Sequence, residues 1–517
     1  QDDRVTIQIE DGYWNHSDAA VVFKRIDNNS GHTRYIYHGN DGTSMPWNDT
    51  AQLNYLLPEV REAVIQTILH VARMFPIIRF DAAMTLAKKH YQRLWFPLPG
   101  EGGAIPSRAE HSMTRAEFEE KIPAEFWREV VDRIQQEVPE TLLLAEAFWL
   151  MEGYFVRTLG MHRVYNSAFM NMLKMEENSK YRDTIKNVLE YSPQILRRFV
   201  NFMNNPDERT AVEQFGKGDK YIGVALMMVT MPGLPMFGHG QIEGFTEKYG
   251  MEYRRAYQDD SPDYDLIHRH ERAVFPLMRR RHLFSHVENF HLYDFWAGAG
   301  HVDENVFAYS NMHGEERAVI FYNNAYSTTS GWISLSCSSN LGSADEPRLA
   351  QRHVGDALQL RNDAKVFYIF RDHRENLQYI RSGNEILENG LFVNLSGYQF
   401  HAFVDWEQVA DEDGVWRRLA EKLQGAGVPD MRVACRETIL APYRDAFRAY
   451  VSPEILAEMA KTIAGGDAWT GCVLSSLESL GNLLDVVGRE QDLTADSEEV
   501  FANTTRVLQS LREFAAL

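Results

Sequence analysis

Three acidic residues that follow apolar runs are the side chains of this sequence best placed to do chemistry. Asp81 ends the run PIIRFD, Glu146 ends LLLAE, and Asp207 ends FVNFMNNPD. If these runs are strands of a barrel, their carboxyl ends deliver the three carboxylates to one rim. A nucleophilic carboxylate, a second carboxyl group that donates and recovers a proton, and a third that stabilises positive charge are what cleavage or transfer of a glycosidic bond requires.

The neighbours of these acids suit the same roles. Arg79 lies two residues before Asp81, so on a strand both side chains point to the same face. A guanidinium beside a carboxylate keeps it ionised, as a nucleophile needs. Apolar residues precede Glu146, and Phe148 and Trp149 follow it, which favours the raised pKa of a general acid. An isolated Arg-x-Asp is usually a structural ion pair, but the series with two further acids favours a catalytic role.

The elements that must position these residues follow from hydrophobic periodicity. The pattern predicts helices over 58–74, 114–138, 172–189 and 220–230, alternating with strands that end near 81, 146, 166, 204 and 237. Such alternation is typical of a parallel sheet or barrel. From 289 to 406, short β-branched runs between Gly, Asn and Ser clusters predict an antiparallel sandwich, and beyond 411 the pattern is helical again.

Composition limits the classes of partner. The 517 residues are enough for two or three domains, and the formal net charge of -20 disfavours nucleic acid and anionic membranes as partners. A neutral sugar is compatible with this charge. No apolar run reaches the length of a membrane span, and the three cysteines indicate neither a disulfide framework nor a zinc site. The location of the protein is not determined by the sequence, although the cytoplasm is favoured.

The quoted motifs resemble those of a known family. RFDAAMTL resembles the second signature of the α-amylase superfamily, the family 13 glycoside hydrolases, in which the Asp is the nucleophile. LLLAEAFW resembles the third signature, which carries the acid/base Glu, and FMNNPDE the fourth, which carries the Asp that stabilises the transition state. AQLNYLLPEVREAV and MPGLPMFGHGQIEG are similar to flanking segments of the family barrel, so the resemblance extends over roughly residues 40–406.

This resemblance implies a fold and an activity. The fold is a (β/α)8 TIM-type barrel followed by an antiparallel β-sandwich domain and a C-terminal helical region. The activity is that of an α-retaining glycoside hydrolase or transglycosylase, with an α-glucan or oligosaccharide as substrate. The first family signature is not found in residues 1–57, so we expect about five later barrel strands and a missing N-terminal part that activity requires. The expected divisions are 1–57 (remnant of an inserted domain), 58–288 (partial barrel), 289–410 (β-sandwich) and 411–517 (helical).

Departures from the family pattern keep alternatives open. Pro206 replaces the usual His before the Asp, and Asn-x-Pro-Asp is similar to the signature of maltosyltransferases that use maltose 1-phosphate. A glycosyl transferase using a sugar phosphate is therefore one alternative, and an inactive glycan-binding homologue is another. Met84 and Thr85 stand where typical amylases have Lys-His. Gln52 stands where the family often has Asp, so calcium is possible but not indicated, and no cofactor is expected.

The remaining candidates would bind substrate rather than react with it. Trp47 and Trp149 offer flat apolar faces on which a pyranose can stack. His162 and Tyr165, on the presumed sixth barrel strand, either line the site or fill the core. The complete set of expected substrate-binding residues is Arg79, Asn205, Trp47, Phe148, Trp149, His162 and Tyr165.

Overall fold

The structure, a computed structural model, describes residues 22–43, 47, 49–148, 151–248, 255–298, 300–343, 346–463, 478–486, 502–503, 506–507, 509–510 and 513. Trp149 lies outside the described residues. The chain divides into two compact units. The first runs to Leu360 and also includes Leu387–Val404, and the second comprises Arg361–Ile386 and the chain from Asp405 onward. The finer divisions expected from the sequence stay a prediction.

A parallel sheet in the first unit carries the candidate site. It follows an antiparallel pair, β1 (Val22–Ile26) and β2 (Thr33–Tyr37). Its strands are β3 (Ile77–Phe80), β4 (Leu142–Ala145), β5 (Arg163–Tyr165), β6 (Phe199–Phe202) and β7 (Leu234–Met236). The sheet order equals the chain order, which is what helical crossovers of one hand produce. The five predicted strands are confirmed, while closure into a full barrel stays a prediction because β3 and β7 end this sheet within the described part of the chain.

Helices connect and cover these strands. The predicted helix over 58–74 is confirmed, with Pro58 at its start, where the missing N–H costs nothing. The helix predicted over 114–138 is two helices, because Pro123 disfavours helical backbone at Ile122. The helices among the described residues of this unit are Pro58–Met74, Lys88–Trp95, Arg115–Lys121, Phe126–Glu137, Glu152–Arg157, Ser167–Lys174, Asn178–Tyr191, Gln194–Arg198, Ala211–Phe215, Asp219–Thr230, Tyr264–Arg269, Phe275–Met278, Arg281–Phe284 and Val354–Ala357, with 3-10 turns at Ala83–Leu86 and Pro106–His111 and a π turn at His270–Val274.

Antiparallel strands follow the parallel sheet, as predicted. They are β8 (His291–Tyr293), β9 (Trp296–Ala297), β10 (Val306–His313), β11 (Glu316–Asn323), β12 (Thr329–Ile333), β13 (Ser339–Asn340), β14 (Leu349–Ala350), β15 (Val366–Asp372), β16 (Leu377–Ser382), β17 (Leu391–Leu395) and β18 (Phe400–Ala410). In the first unit, β10 pairs with β8 and β11, β11 pairs with the first residues of β18, and β12 pairs with β9 and β17.

Close packing in the first unit joins its helices to its antiparallel strands. Helix Asp219–Thr230 is buried from Tyr221 onward and packs against β7 and β11. Gly223 lies so close to Tyr322 of β11 that a Cβ at this position would be 2.0 Å from the ring. The fully buried Arg182 pairs with Asp294 at 2.5 Å and donates to the carbonyl of Val306 at 2.7 Å. A buried charge is tolerated here because it is paired and hydrogen-bonded.

The second unit is a hairpin with helices. β15 pairs with β16, and their apolar side chains pack with Leu419 and Met431. Its helices are Val415–Leu423, Met431–Tyr450 and Pro453–Ile463, while helix Gly383–Asn389 spans the division between the units. Residues 478–486 are also helical, so the helical C-terminal pattern is confirmed where the chain is described. Among the described residues, none of the helices combines the length and apolar composition that a membrane crossing needs.

Candidate active site

The three predicted acids come together at the carboxyl end of the parallel sheet. Asp81 follows β3 and Glu146 follows β4, and the two strands are in register, with Phe80 opposite Ala145. The N–H of Glu146 donates to the carbonyl of Phe80 at 3.0 Å, which extends this pairing by one residue. Asp207 comes from the loop after β6. One oxygen from each carboxylate can be chosen so that all three lie within 4.8 Å of one another.

Arg79 lies among these carboxylates. Its Nη1 is 2.6 Å from Asp81 Oδ1, and its Nη2 is 3.1 Å from Glu146 Oε2 and 3.6 Å from Asp207 Oδ2. Nη2 is within ion-pair distance of Glu146 but is not aligned for a hydrogen bond with it. Burial lowers the pKa of Arg79, but Glu146, Tyr165 and Asp81 outweigh it and raise that pKa overall. The guanidinium is therefore a permanent positive charge that holds the acids together.

Glu146 is the buried member of the group. Its side chain is only 4% exposed, whereas those of Asp81 and Asp207 are 56% and 65% exposed. Burial raises the pKa of Glu146 to about 8, with Asp81 adding to the effect, while the N–H of Ala82 and the charge of Arg79 oppose it. Oε2 accepts the Ala82 N–H at 2.9 Å, and Oε1 is buried without a hydrogen-bond partner among the described residues. A pKa of about 8 favours the protonated carboxyl group at neutral pH, and since Oε2 accepts the Ala82 N–H, Oε1 is the oxygen better placed to carry the proton.

A left-handed residue makes this arrangement possible. Ala82 has φ 44° and ψ 38°, a conformation that costs a residue with a Cβ roughly 1–2 kcal/mol. The sharp turn ends β3 after Asp81 and directs the Ala82 N–H at Glu146. No sequence signal indicated this residue, because positive φ is usually marked by Gly or Asn.

The loop that carries Asp207 is shaped by Asn205. Asn205 Oδ1 accepts the N–H groups of Asp207 and Glu208, both at 2.9 Å, and its buried Nδ2 has no hydrogen-bond partner in the part of the chain that the structure describes. Lys248 Nζ donates to the carbonyl of Asp207 at 2.5 Å. A small cavity of about 50 Å³ lies against this loop. Its lining includes Lys248 and His239, which the sequence did not single out.

Of the expected substrate-binding residues, Tyr165 joins Arg79 and Asn205 at the site, whereas Phe148 and Trp47 have other contacts. Tyr165 is fully buried, its hydroxyl accepts Arg79 Nε at 2.6 Å, and its ring lies 5.2 Å from the guanidinium carbon. Phe148, two residues after Glu146, is half-buried and packs against the core. Trp47 is half-buried and forms a bridge with Gly39.

His162 is not brought to the carboxylates. It precedes β5, so it lies at the amino end of the sheet, where its Nδ1 accepts the N–H of Leu143 at 3.0 Å.

Three carboxylates are also a set that could bind a cation. However, the Arg79 guanidinium already lies within 3.6 Å of all of them, so a metal ion would have to displace it.

Comparisons with known proteins give a weak likeness to amylases. No family model and no curated protein matches the chain. An α-amylase from H. orenii matches with 14% identity and a TM-score of 0.44, over 78% of this chain and 75% of that one. The α-amylase of Geobacillus thermoleovorans, complexed with acarbose, matches with 13% identity and a TM-score of 0.46, over 72% and 70%. A Nostoc punctiforme debranching enzyme matches with 14% identity and a TM-score of 0.45, over 69% and 64%. A likeness this weak assigns no chemistry to the chain.

Proposed function

We propose that this chain is a retaining glycoside hydrolase or transglycosylase that acts on α-linked glucans or oligosaccharides by double displacement. One observation carries the proposal. An exposed carboxylate held by a guanidinium, Asp81, lies within 4.8 Å of the buried carboxyl group of Glu146, whose pKa is raised to about 8. Two carboxyl groups of opposite protonation state are what the two roles of nucleophile and acid need.

The first displacement would use both groups. Asp81 attacks the anomeric carbon, while Glu146 donates the proton on Oε1 to the departing oxygen. The sugar is then bound covalently to Asp81. The two carboxyl groups of a retaining enzyme are about 5 Å apart, whereas those of an inverting enzyme are farther apart because a water molecule lies between them. An oxygen of Asp81 lies within 4.8 Å of an oxygen of Glu146, which favours retention.

The second displacement would reverse these roles. Glu146, now a carboxylate, takes the proton of an incoming hydroxyl group, which attacks the anomeric carbon and releases Asp81. Asp207, exposed beside the other two acids, would stabilise the positive charge that develops on the sugar ring. Arg79 would act as a positioning residue that orients Asp81 through their 2.6 Å ion pair.

The substrate class rests on the motifs. The resemblance of the three signatures favours an α-linked glucan, and a neutral glycan suits a protein with a net charge of -20. The covalent intermediate can be intercepted by water or by a sugar hydroxyl, so hydrolysis and transfer share all steps up to that point.

A fluorinated glycosyl fluoride that traps the intermediate tests the proposal. We expect the intact chain to gain the mass of one fluoroglucosyl group, located on the peptide that contains Asp81. Asp81→Asn should gain none, and Asp183→Asn, a matched change at an exposed position, should be labelled like the wild type. An unlabelled wild-type protein that still binds maltooligosaccharides would contradict the proposal and favour a glycan-binding module.

The trapping experiment is paired with a product analysis on maltoheptaose. New reducing ends without longer chains would indicate hydrolysis, and longer chains would indicate transfer. Turnover that requires maltose 1-phosphate would favour the transferase alternative.

A further inference from the structure

A second concave site lies at the opposite end of the parallel sheet from the carboxylates. It is a cavity of about 400 Å³ at the amino ends of β4, β5 and β6. Residues that line it include Leu142, His162, Arg163, Gln194, Arg197 and Arg198. The reacting groups of the proposed function lie after the carboxyl ends of the same strands, so the two sites are distinct.

The cavity concentrates positive charge that the described residues do not neutralise. Arg163, Arg197 and Arg198 form no ion pair with any described acidic residue. Glu140, the acid among the described lining residues, is exposed and forms no ion pair with them either. Arginines clustered in this way repel one another, in a protein whose net charge is -20.

The guanidinium groups retain unused donors. Arg163 Nε is buried and has no hydrogen-bond partner among the described residues. Arg197 is exposed and has no hydrogen bond to a described residue, whereas Arg198 uses Nη1 for the carbonyls of Val156 and Met161 at 2.7 and 3.3 Å. His162 accepts the Leu143 N–H at Nδ1, so its neutral ring carries the proton on Nε2 and adds a donor to the lining.

The electrostatics agree with this geometry. Burial lowers the pKa of Arg163, and the charges of Arg197 and Arg198 lower it further. Burial also lowers the pKa of Arg281 to about 10, and Arg163 contributes to that shift. An anion in the cavity would reverse these repulsions, since it would stabilise each charged guanidinium.

We propose that this cavity binds a small phosphorylated ligand. Guanidinium groups present paired N–H donors that match the oxygens of a phosphate, and this cavity is lined by one arginine from a strand and two from the end of a helix. The volume falls in the range of small-molecule sites and exceeds what a bare phosphate fills. A phosphorylated sugar or similar metabolite is therefore the expected class, with free phosphate as the smaller form of the same chemistry.

Calorimetric titration of the full chain at low ionic strength tests this site, with inorganic phosphate and glucose 6-phosphate as probes. Arg197→Gln removes an exposed side chain and is expected to fold, and it should weaken binding by about tenfold or more. Arg115→Gln, an exposed arginine far along the chain from the cavity, is the matched control and should bind like the wild type. Asp81→Asn should also bind like the wild type, which separates this site from the proposed catalytic one.

The two probes distinguish the sources of the phosphate. Tighter binding of glucose 6-phosphate, lost in Arg197→Gln, supports a phosphorylated metabolite. Equal binding of both probes, again lost in Arg197→Gln, supports free phosphate as the ligand of the same cavity. Absence of binding to the wild type would overturn the proposal, and so would binding that Arg197→Gln and Arg115→Gln weaken equally.

Discussion

Replacing the buried acid of the candidate site is expected to stabilise the fold at neutral pH. In Glu146→Gln a neutral amide takes the place of a carboxyl group that is 4% exposed. The amide oxygen can still accept the N–H of Ala82. In the wild type, Glu146 is ionised in the unfolded chain but protonated in the folded protein, and this difference lowers the free energy of unfolding. The substitution removes that loss of stability.

The size and sign of this effect follow from the raised pKa. Burial raises the pKa of Glu146 from 4.5 to about 8, so the folded state binds a proton that the unfolded state releases. The resulting destabilisation is absent below about pH 4.5 and grows as the pH rises towards 8. At 1.36 kcal/mol per pKa unit, it reaches about 3 kcal/mol at pH 7 and about 1 kcal/mol at pH 5.

Urea unfolding, followed by tryptophan fluorescence, measures this difference. We expect Glu146→Gln to exceed the wild type in free energy of unfolding by about 2 kcal/mol more at pH 7 than at pH 5. Glu120→Gln, at an exposed position, should show no such change with pH. A Glu146→Gln advantage of the same size at both pH values would refute the reasoning, because the benefit would then be unrelated to ionisation.

Three further predictions follow from the described contacts. The kcat/KM of the wild type for maltooligosaccharides should fall above about pH 8, where Glu146 loses its proton. Glu146→Gln should lower kcat/KM for these substrates by about 10²–10⁴-fold. The decrease should be smaller for glycosyl fluorides, because fluoride leaves without help from an acid. Gly223→Ala should lower the free energy of unfolding in urea by about 1–3 kcal/mol through the clash with Tyr322, and adding Tyr322→Leu should recover part of it. Arg182→Met should cost about 3 kcal/mol in the same measurement, since Asp294 and the Val306 carbonyl lose their buried partner.

The parallel strands and the three acids were predictable because two independent signals coincide. Apolar runs of strand length mark β3, β4 and β6, and an acid follows each of them at or soon after its end. Period two then places Arg79 on the same face as Asp81, which their 2.6 Å ion pair reflects. These inferences need only local sequence and one rule about where parallel strands end.

The remaining features of the site depend on contacts between distant elements. The left-handed turn at Ala82 contains no Gly or Asn that would predict it. Its role depends on a distant residue, because the Ala82 N–H donates to Glu146 Oε2. Tyr165 and His162 are three residues apart on the predicted strand, yet Tyr165 contacts Arg79 whereas His162 lies at the amino end of β5. Period two places residues three apart on opposite faces of a strand, so only one of the two can share a face with the site, but the pattern does not show which one.

The arginine-lined cavity at the amino end of the sheet could not be predicted from the sequence, because its arginines come from separate segments. Arg163 begins a strand, while Arg197 and Arg198 end a short helix before the next strand, so no run of basic residues marks the site. Parallel strands bring the two segments side by side, since equivalent ends of neighbouring strands lie at the same edge. The charge pattern therefore appears only after the topology is known.

The distribution of charge along the sheet bears on the choice between hydrolysis and a sugar-phosphate donor. At the carboxyl end the guanidinium of Arg79 lies within 3.6 Å of three acids, so a phosphate would have to compete with them for its charge. A donor such as maltose 1-phosphate would bring a dianion next to Asp81 and Asp207, which are both exposed carboxylates. Phosphate chemistry is instead matched by the arginines at the amino end. For the function proposed above, the exposed carboxylates therefore favour a neutral glycan, whose departing oxygen takes the proton of Glu146, over a phosphorylated donor.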